Sequence, residues 1–432
     1  DHQEKRATWV VERVDIDGEE ISIIRHSSTW FPAPLALRYV IKIRFDLGPC
    51  MLAADMRAIA HAFNWAEKVE RLGSLEEFVA SGKFLSNEQV ARLAVYLRRN
   101  HEDELERPVS AHTFNRRLFA VSQFLEWASD PLNNGGDAPS DVTHLAVNIF
   151  MVSQWLNKKK LQTGPSSRQE PTTKDEIDHI IRAIGPNETG RFPEGIFSEG
   201  TRYRNFVMFL DAYNSGKRRS ELLTTKVEHL PVDERYNLFY VVRQQDAPED
   251  PRKGRPPRGK TNERFVPLAD QGVLPLILRY RDAPPPIGRN SPRFTTPYLY
   301  VTADGNPVSI SAADYIIKQI GKYAARAVDM DPTLDEFARA QLRKSLLSLS
   351  WHRLRHAWAE RVALDLYRQH HEGAWRILRE WGGWNDEKTM ERYIEYARRA
   401  INYSAAERYL ITSAARSERL RTFGRVEAKG KR

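Results

Sequence analysis

The stretch LREWGGWNDEKTMERYIEYARR, Leu378 to Arg399, sets two tyrosines behind a Gly-Gly-Trp corner. A phenol is a weak nucleophile near neutral pH, with a reference pKa of about 10, and it becomes effective where cationic groups stabilise the phenolate. Without such groups Tyr393 and Tyr396 are ordinary residues of an amphipathic helix. Three earlier stretches hold cations at spacings that bear on this choice. In SGKRRSELL, Gly216 ends one helix, and Arg218 and Glu221 are three apart on the next, which suits a surface ion pair as well as a catalytic group. In SWHRLRHAWAERV, His352 and Arg355 share a helix face. His352 and His356 also have metal-ligand spacing, but the Glu of H-E-x-x-H and a third ligand are missing, so no metal is expected. In RKGRPPRGKTNERFVPL, Gly254, Gly259, Lys260 and Thr261 match a Walker A pattern formally. A phosphate loop of that kind follows a strand and opens a helix. Here Pro256 and Pro257 remove amide donors and a strand-like ERFVPL follows. The context suits a β-hairpin with Lys260 near its tip, or a solvated basic loop.

Periodicity predicts the elements that must hold these groups. WVVERVDIDGEEISII alternates apolar and polar residues around Asp17-Gly18, a hairpin signal. From Leu35 to about Lys160 the apolar spacing is helical, as in DMRAIAHAFNWAEKVERL and SAHTFNRRLFAVSQFLEWA. In the second of these Ser110 is the expected N-cap, with Asn115, Arg116 and Arg117 early in the helix. NKKKLQTGPSSRQEPTTKDE then loses all period and collects Gly, Pro, Ser and charge, which marks a linker. Beyond it, helical RNFVMFLDAY is followed by strand-like NLFYVVRQQ and ERFVPLA around the basic loop, and helices continue from Ile310 to about Leu410. The expected organisation is a β-hairpin extension at 1–32, a helical unit at 33–157, a linker at 158–172, a larger unit at 173–410 and a basic tail at 411–432. The fold class is mainly α with a small antiparallel β-hairpin.

Composition narrows the partners. With 41% apolar and 28% charged residues over 432 positions, the chain is globular and long enough for two cores. No apolar run approaches the ~18 residues that span a bilayer. The single cysteine, Cys50, excludes disulfides and cysteine-based zinc modules and fits a reducing compartment. A formal charge of +9 and a pI near 9.4 favour a polyanionic partner such as nucleic acid.

Each stretch alone has a bland reading, but their order is specific. An Arg with Glu three later, a hairpin Lys, His-x-x-Arg, and Gly-Trp with Tyr nine later resemble the tyrosine recombinase (phage integrase) family. Gly216-Lys217-Arg218-Arg219-Ser220-Glu221-Leu222 is similar to its Gly-x-Arg-x-x-Glu-Leu, which selects Arg218 over Arg219. KTNERFVPL resembles its Lys-Thr-x-x-Arg-x-x-Pro-Leu hairpin, HRLRHAWAERV its His-x-Leu-Arg-His helix, and GGWNDEKTMERY its Gly-His/Trp-x8-Tyr segment. The resemblance covers residues 173–400, extends weakly to TFNRRLFAVSQFLEWA and leaves 1–32 unmatched. Two features depart from the usual pattern: Trp384 stands where most members have His, and the loop before Lys260 is long, which leaves Lys253 as a second choice.

What the resemblance implies is a two-domain clamp around duplex DNA and a site-specific recombinase that works through a 3′-phosphotyrosyl intermediate. Tyr393 would be the nucleophile, with Tyr396 as runner-up. Arg218 and Arg355 would bind the phosphoryl oxygens, Lys260 would protonate the leaving 5′-oxygen, and His352 would assist proton movement. Trp384 would pack against the site and Glu221 would orient Arg218 or His352. DNA contacts are expected from Asn115, Arg116, Arg117, Arg255 and Arg258. No cofactor or metal is implied. The protein would act as a dimer or tetramer on paired sites, with sister recombinases as candidate further partners and residues 403–432 as an exchange segment, in a bacterial or phage-type cytoplasm at the nucleoid. A type IB topoisomerase and a non-catalytic DNA-binding accessory protein are the rival readings.

Overall fold

The computed structural model describes residues 7–16, 19–44, 49–101, 103–134, 142–163, 171–231, 239–242, 250–252, 257, 263–283, 296–369, 373–384, 387 and 390–402. The chain forms two compact units, Asp1–Arg168 and Gln169–Arg432.

In the first unit β1 (Trp9–Ile16) and β2 (Glu19–His26) pair antiparallel, with Trp9 opposite His26. Alternation gives this hairpin one apolar face, and that face needs cover. It is therefore built into the unit's core and is not an extension of it: Ile21 and Ile24 are buried with Tyr39, Leu52, Phe63 and Phe124. The helices are α1 (Pro34–Tyr39), α2 (Pro49–Lys68), α3 (Leu75–Ala80), α4 (Asn87–Leu97), α5 (Ala111–Ala128), α6 (Pro131–Asn134) and α7 (Val142–Lys158). Their starts are chemically marked. Ser86 and Gln89 form a reciprocal capping box at α4, and Ser110 accepts the Thr113 N–H at α5.

The second unit opens with α8 (Lys174–Ile184), capped reciprocally by Thr173 and Glu176. Its central helix, α9 (Glu199–Ser215), is buried on every side from Tyr203 to Ser215. A helix buried all round must satisfy its polar groups internally. Asp211 does so by accepting from Ser215 Oγ at 2.9 Å, Tyr300 OH at 2.8 Å and Lys217 Nζ at 3.3 Å. The helix stops at Gly216, whose φ of 61° a side chain would resist. There follow α10 (Arg219–Leu223), the antiparallel pair β3 (Phe239–Val242) and β4 (Arg264–Pro267), α11 (Val273–Asp282), α12 (Ile310–Asp329), α13 (Glu336–Leu347), α14 (Trp351–Arg368) and α15 (Ala374–Gly382). Residues 390–402 form a further helix. The main core surrounds α9, while a smaller cluster of Trp358, Val362, Leu378, Trp384, Met390, Tyr393 and Ala397 seats the end of the described chain. The architecture is mainly α with a small antiparallel pair of strands in each unit, and the class is the one the sequence leads one to expect. Among the described residues no helix is long and apolar enough to cross a membrane.

Candidate active site

Helix α14 supplies the first groups. Ser350 accepts the Arg353 N–H and fixes its start, and Trp351, Leu354 and Trp358 turn into the core. His352, Arg355 and His356, three and four apart, lie along another face. Arg355 is 3% exposed and donates from Nη1 to the Gly216 carbonyl at 2.6 Å and from Nη2 to the Gly382 carbonyl at 2.5 Å. Its guanidinium lies 4.6 Å from the Trp384 ring centre. Burial, and then the neighbouring Arg218, push its pKa down to about 9, which leaves it charged at neutral pH. Arg218 reaches the same corner: its Nη2 donates to the Gly383 carbonyl at 3.2 Å. Two guanidiniums thus meet at Gly382-Gly383, the corner whose carbonyls they share.

Only glycine fits there. A Cβ on Gly382 would fall 1.9 Å from the Trp384 ring, and one on Gly216 would fall 2.1 Å from Trp358. Gly383 has φ 60° and would press its Cβ to 2.8 Å from Arg264 Nη1.

Glu221 links the arginines. It accepts the Arg218 backbone N–H at 2.8 Å and Arg218 Nη1 at 3.1 Å. It also takes a two-point pair from Arg264, Nη1 at 3.1 Å and Nη2 at 2.9 Å, and Arg264 Nε donates to the Trp381 carbonyl at 2.8 Å. Arg264 therefore ties β4, α10 and the Gly-Gly corner together. It is the Arg of the Lys-Thr-x-x-Arg-x-x-Pro-Leu resemblance, which attaches no role to it; in β4 it is buried while Phe265 is 59% exposed, an inversion of the usual alternation. The other arginines of these motifs point elsewhere. Arg219 pairs with Asp314 at 2.5 Å, and Arg353 bonds Ser345 and Ser348 at the turn between α13 and α14. Lys260, its alternative Lys253, and Arg255 and Arg258 lie outside the described residues.

Tyr393 is 2% exposed and tilted against Trp384 with ring centres 5.3 Å apart. Its hydroxyl hydrogen-bonds His356 Nδ1 and accepts Arg392 Nη2 at 2.6 Å. Arg392 Nη2 also lies 2.7 Å from His356 Nδ1. On the far side of that ring, His356 Nε2 meets His352 Nε2 at 2.8 Å. The two imidazoles bond each other, which is a different arrangement from ligands facing an ion. Burial raises the Tyr393 pKa, and the Arg392 hydrogen bond with the charges of Arg392 and Arg355 works against that rise. Burial, then His352, Arg392 and Arg355, push His356 down to about 3. His352 is lowered by burial and then by Arg355, Arg392 and Arg218. Tyr396 is 45% exposed and lines an open groove of about 1060 Å³ with Glu360 and Arg361. Of the two tyrosines, Tyr393 is the one set among Trp384, His356 and Arg392. His356 is the second His of the His-x-Leu-Arg-His resemblance, which attaches no role to it, and its spacing from His352 offers it only as a metal ligand; no motif singles out Arg392.

In the first unit the three half-buried polar residues early in α5 bond to neighbouring segments of the same unit. Asn115 bonds the Leu161 backbone in both directions, at 2.8 and 2.9 Å. Arg116 bonds Asp55 at 2.9 Å, and Arg117 donates to the carbonyls of Leu97 and Arg99 at 2.9 and 2.7 Å.

No family model matches the chain, and no curated protein does. Among solved structures, the Tn1549 transposon integrase in complex with transposon right end DNA is similar with a TM-score of 0.50 and 13% identity, over 86% of this chain and 99% of that one. The same integrase with circular intermediate DNA gives 0.48 and 12%, over 85% and 98%. The XerH site-specific recombinase bound to palindromic difH substrate gives 0.46 and 15%, over 83% and 79%. The first of these shows the fold, and it agrees with the motif order in the sequence: the chain has the fold of the tyrosine recombinases.

Proposed function

We propose that this protein is a site-specific DNA recombinase that breaks and rejoins duplex DNA through a phosphotyrosyl link at Tyr393. The observation that supports it most is the convergence of Arg218, Arg355, Trp384 and the buried Tyr393 on one Gly-Gly-Trp corner. A phosphodiester resists attack because its anion repels nucleophiles and its transition state gathers charge on the phosphoryl oxygens. Guanidiniums stay charged and pair with such oxygens through two N–H groups. Arg218 spends donors on Glu221 and the Gly383 carbonyl, Arg355 on the carbonyls of Gly216 and Gly382, and their remaining N–H groups are the clamp. Tyr393 attacks phosphorus, a 3′-phosphotyrosyl bond forms, and the 5′-oxygen leaves with a proton from Lys260. Trp384 packs the phenol and the Arg355 guanidinium but does not titrate. The new ester keeps the energy of the old one, so religation needs neither ATP nor metal. The solved integrase of this fold is a complex with DNA, and the basic charge of this chain suits the same partner. Assembly as a dimer or tetramer on paired sites, sister recombinases as further partners, and action at the nucleoid belong to the same reading.

The test is a covalent adduct. A duplex site is selected by the protein from a randomised DNA pool, nicked next to the cleavage position, and incubated with the chain before denaturing electrophoresis. Wild type is expected to yield an adduct and Tyr393→Phe none. Replacing Arg218 or Arg355 by Ala is expected to slow adduct formation ~10²–10³-fold, about 3–4 kcal/mol. An adduct that survives in the Phe variant, or that maps to another residue, sinks the proposal. Relaxation of plasmid without strand exchange would point to the topoisomerase reading instead.

A further inference from the structure

We infer that His356 takes the Tyr393 proton and hands one on to His352, while Arg392 holds the phenolate oxygen. The inference rests on the phosphotyrosyl reading and assigns chemistry to two residues that it leaves idle. The geometry carries it. His356 Nδ1 is bonded to the Tyr393 hydroxyl, and its Nε2 ends 2.8 Å from His352 Nε2. Arg392 Nη2 is 2.6 Å from the same phenol oxygen. An orienting histidine needs only its first bond; here the second nitrogen ends on another base, and that base, His352, is exposed.

The step balances. As the Tyr393 oxygen bonds phosphorus and the P–O5′ bond breaks, the phenol proton passes to His356 Nδ1. The Nε2 proton of His356 passes to His352 Nε2. His356 ends neutral in its other tautomer, His352 ends as imidazolium, and the 5′-oxygen is protonated separately. Religation runs the same path backwards.

Electrostatics sets the timing. The charged and titratable groups around this path are Arg355, Arg392, Arg218 and Glu360. Burial first, and then the cations Arg355 and Arg392, hold both imidazoles neutral before substrate arrives, with Arg218 acting on His352 as well. A phosphodiester bound between the guanidiniums offsets part of that field, so His352 gains basicity when the anion is in place. His356, pushed down to about 3, conducts the proton and does not store it.

Two arms test this. In the free protein, ¹⁵N-histidine NMR is expected to show His356 protonated at Nε2 and bare at Nδ1, with His352 bare at Nε2. The opposite tautomers overturn the relay whatever the DNA experiment gives. On the selected duplex, His356→Asn keeps a hydrogen-bonding group beside the phenol but transmits no proton. Single-turnover adduct formation is expected to fall ~10²-fold at pH 7, and the gap to wild type is expected to close towards pH ~10, where hydroxide takes the phenol proton. His352→Gln, at an exposed position, is expected to show the same closing gap if the Asn variant folds poorly. A loss that is equal at all pH values, or wild-type rates, overturns the relay while leaving Tyr393 as nucleophile. A wild-type chain that forms no adduct overturns both readings.

Discussion

At the scale of single residues, Glu221 shows how much of the site rests on a group that need not touch substrate. It is 1% exposed and divides two oxygens between Arg218 and Arg264. Taking one partner from a buried ion pair strands the other charge, at a cost of about 3–5 kcal/mol. Arg264→Met is therefore expected to lower stability by about 3 kcal/mol and to slow adduct formation by loosening Arg218. Glu221→Gln should act similarly. The double variant should lose clearly less than the sum of the two, since the pair is removed together. Urea denaturation of the four proteins measures this; additive losses would show that the pair does not act as a unit. Motif order was enough to pick Arg218 rather than Arg219, and Arg355, Trp384 and Tyr393, because their order along the chain is itself the signal. It includes Arg264 and His356 in the matched motifs without giving them a role, and it passes over Arg392. Their roles come from partners brought close by folding, Glu221 for the first and Tyr393 for the others, and one-dimensional spacing does not carry such partners.

At the scale of elements, the site depends on two helix ends that stop on glycine. Helix α9 ends at Gly216 and α15 ends at Gly382-Gly383, and the carbonyls exposed at those ends receive Arg355 and Arg218. Orphan carbonyls at a helix end are natural acceptors for cations. Gly382→Ala would put a methyl 1.9 Å from the Trp384 ring, so the indole must move away from both Arg355 and Tyr393. The expected cost is about 1–3 kcal/mol of stability, with a loss of adduct yield larger than that destabilisation accounts for. Gly190→Ala is the control, because its φ is 77° but nothing lies within 4 Å of the new Cβ. It should cost only the backbone strain, about 1–2 kcal/mol, with adduct formation intact. If both variants lose adduct equally, packing at the corner is not what sets the indole. The elements themselves were largely legible, since caps such as Ser110 and the 3.6 and 2.0 periods announce them. What covers an apolar face was not: the alternation of the first hairpin says that Ile21 and Ile24 need a partner, but not that the unit's helical core provides it.

At the scale of the molecule, each unit buries a histidine whose proton affinity folding has weakened. In the first unit burial, then Arg117, His101 and Arg57, push His61 down to about 3 from its ordinary 6.5. In the second, His356 is pushed to about 3, and His352 shifts in the same direction. Between pH 3 and 6.5 His61 and His356 are neutral when folded and protonated when unfolded, and the lowered His352 acts in the same sense below 6.5. The unfolded chain then binds more protons, so stability rises with pH across that window and is lost on acidification. Glu360 has the opposite sign. Burial raises it from 4.5 to about 7, so the folded chain holds an extra proton between those values and its contribution declines as pH rises through them. Glu76, also raised by burial, has the sign of Glu360; three histidines outweigh these two carboxyls, and the net charge of +9 adds self-repulsion as further protons bind. The urea midpoint is therefore expected to fall from pH 6.5 towards pH 4, and His61→Gln to flatten that fall without requiring any change at the second unit. Glu360→Gln separates the opposing term. Above pH 7 the wild type must keep a charged carboxylate partly buried, and the amide does not, so the variant should be the more stable protein at pH 8. Well below pH 4.5 the carboxyl is protonated in folded and unfolded chain alike, both side chains are neutral and the two midpoints should coincide. A Gln variant that gains equally at both pH values would mean that the gain comes from packing in the groove beside Tyr396 and not from the carboxylate's proton.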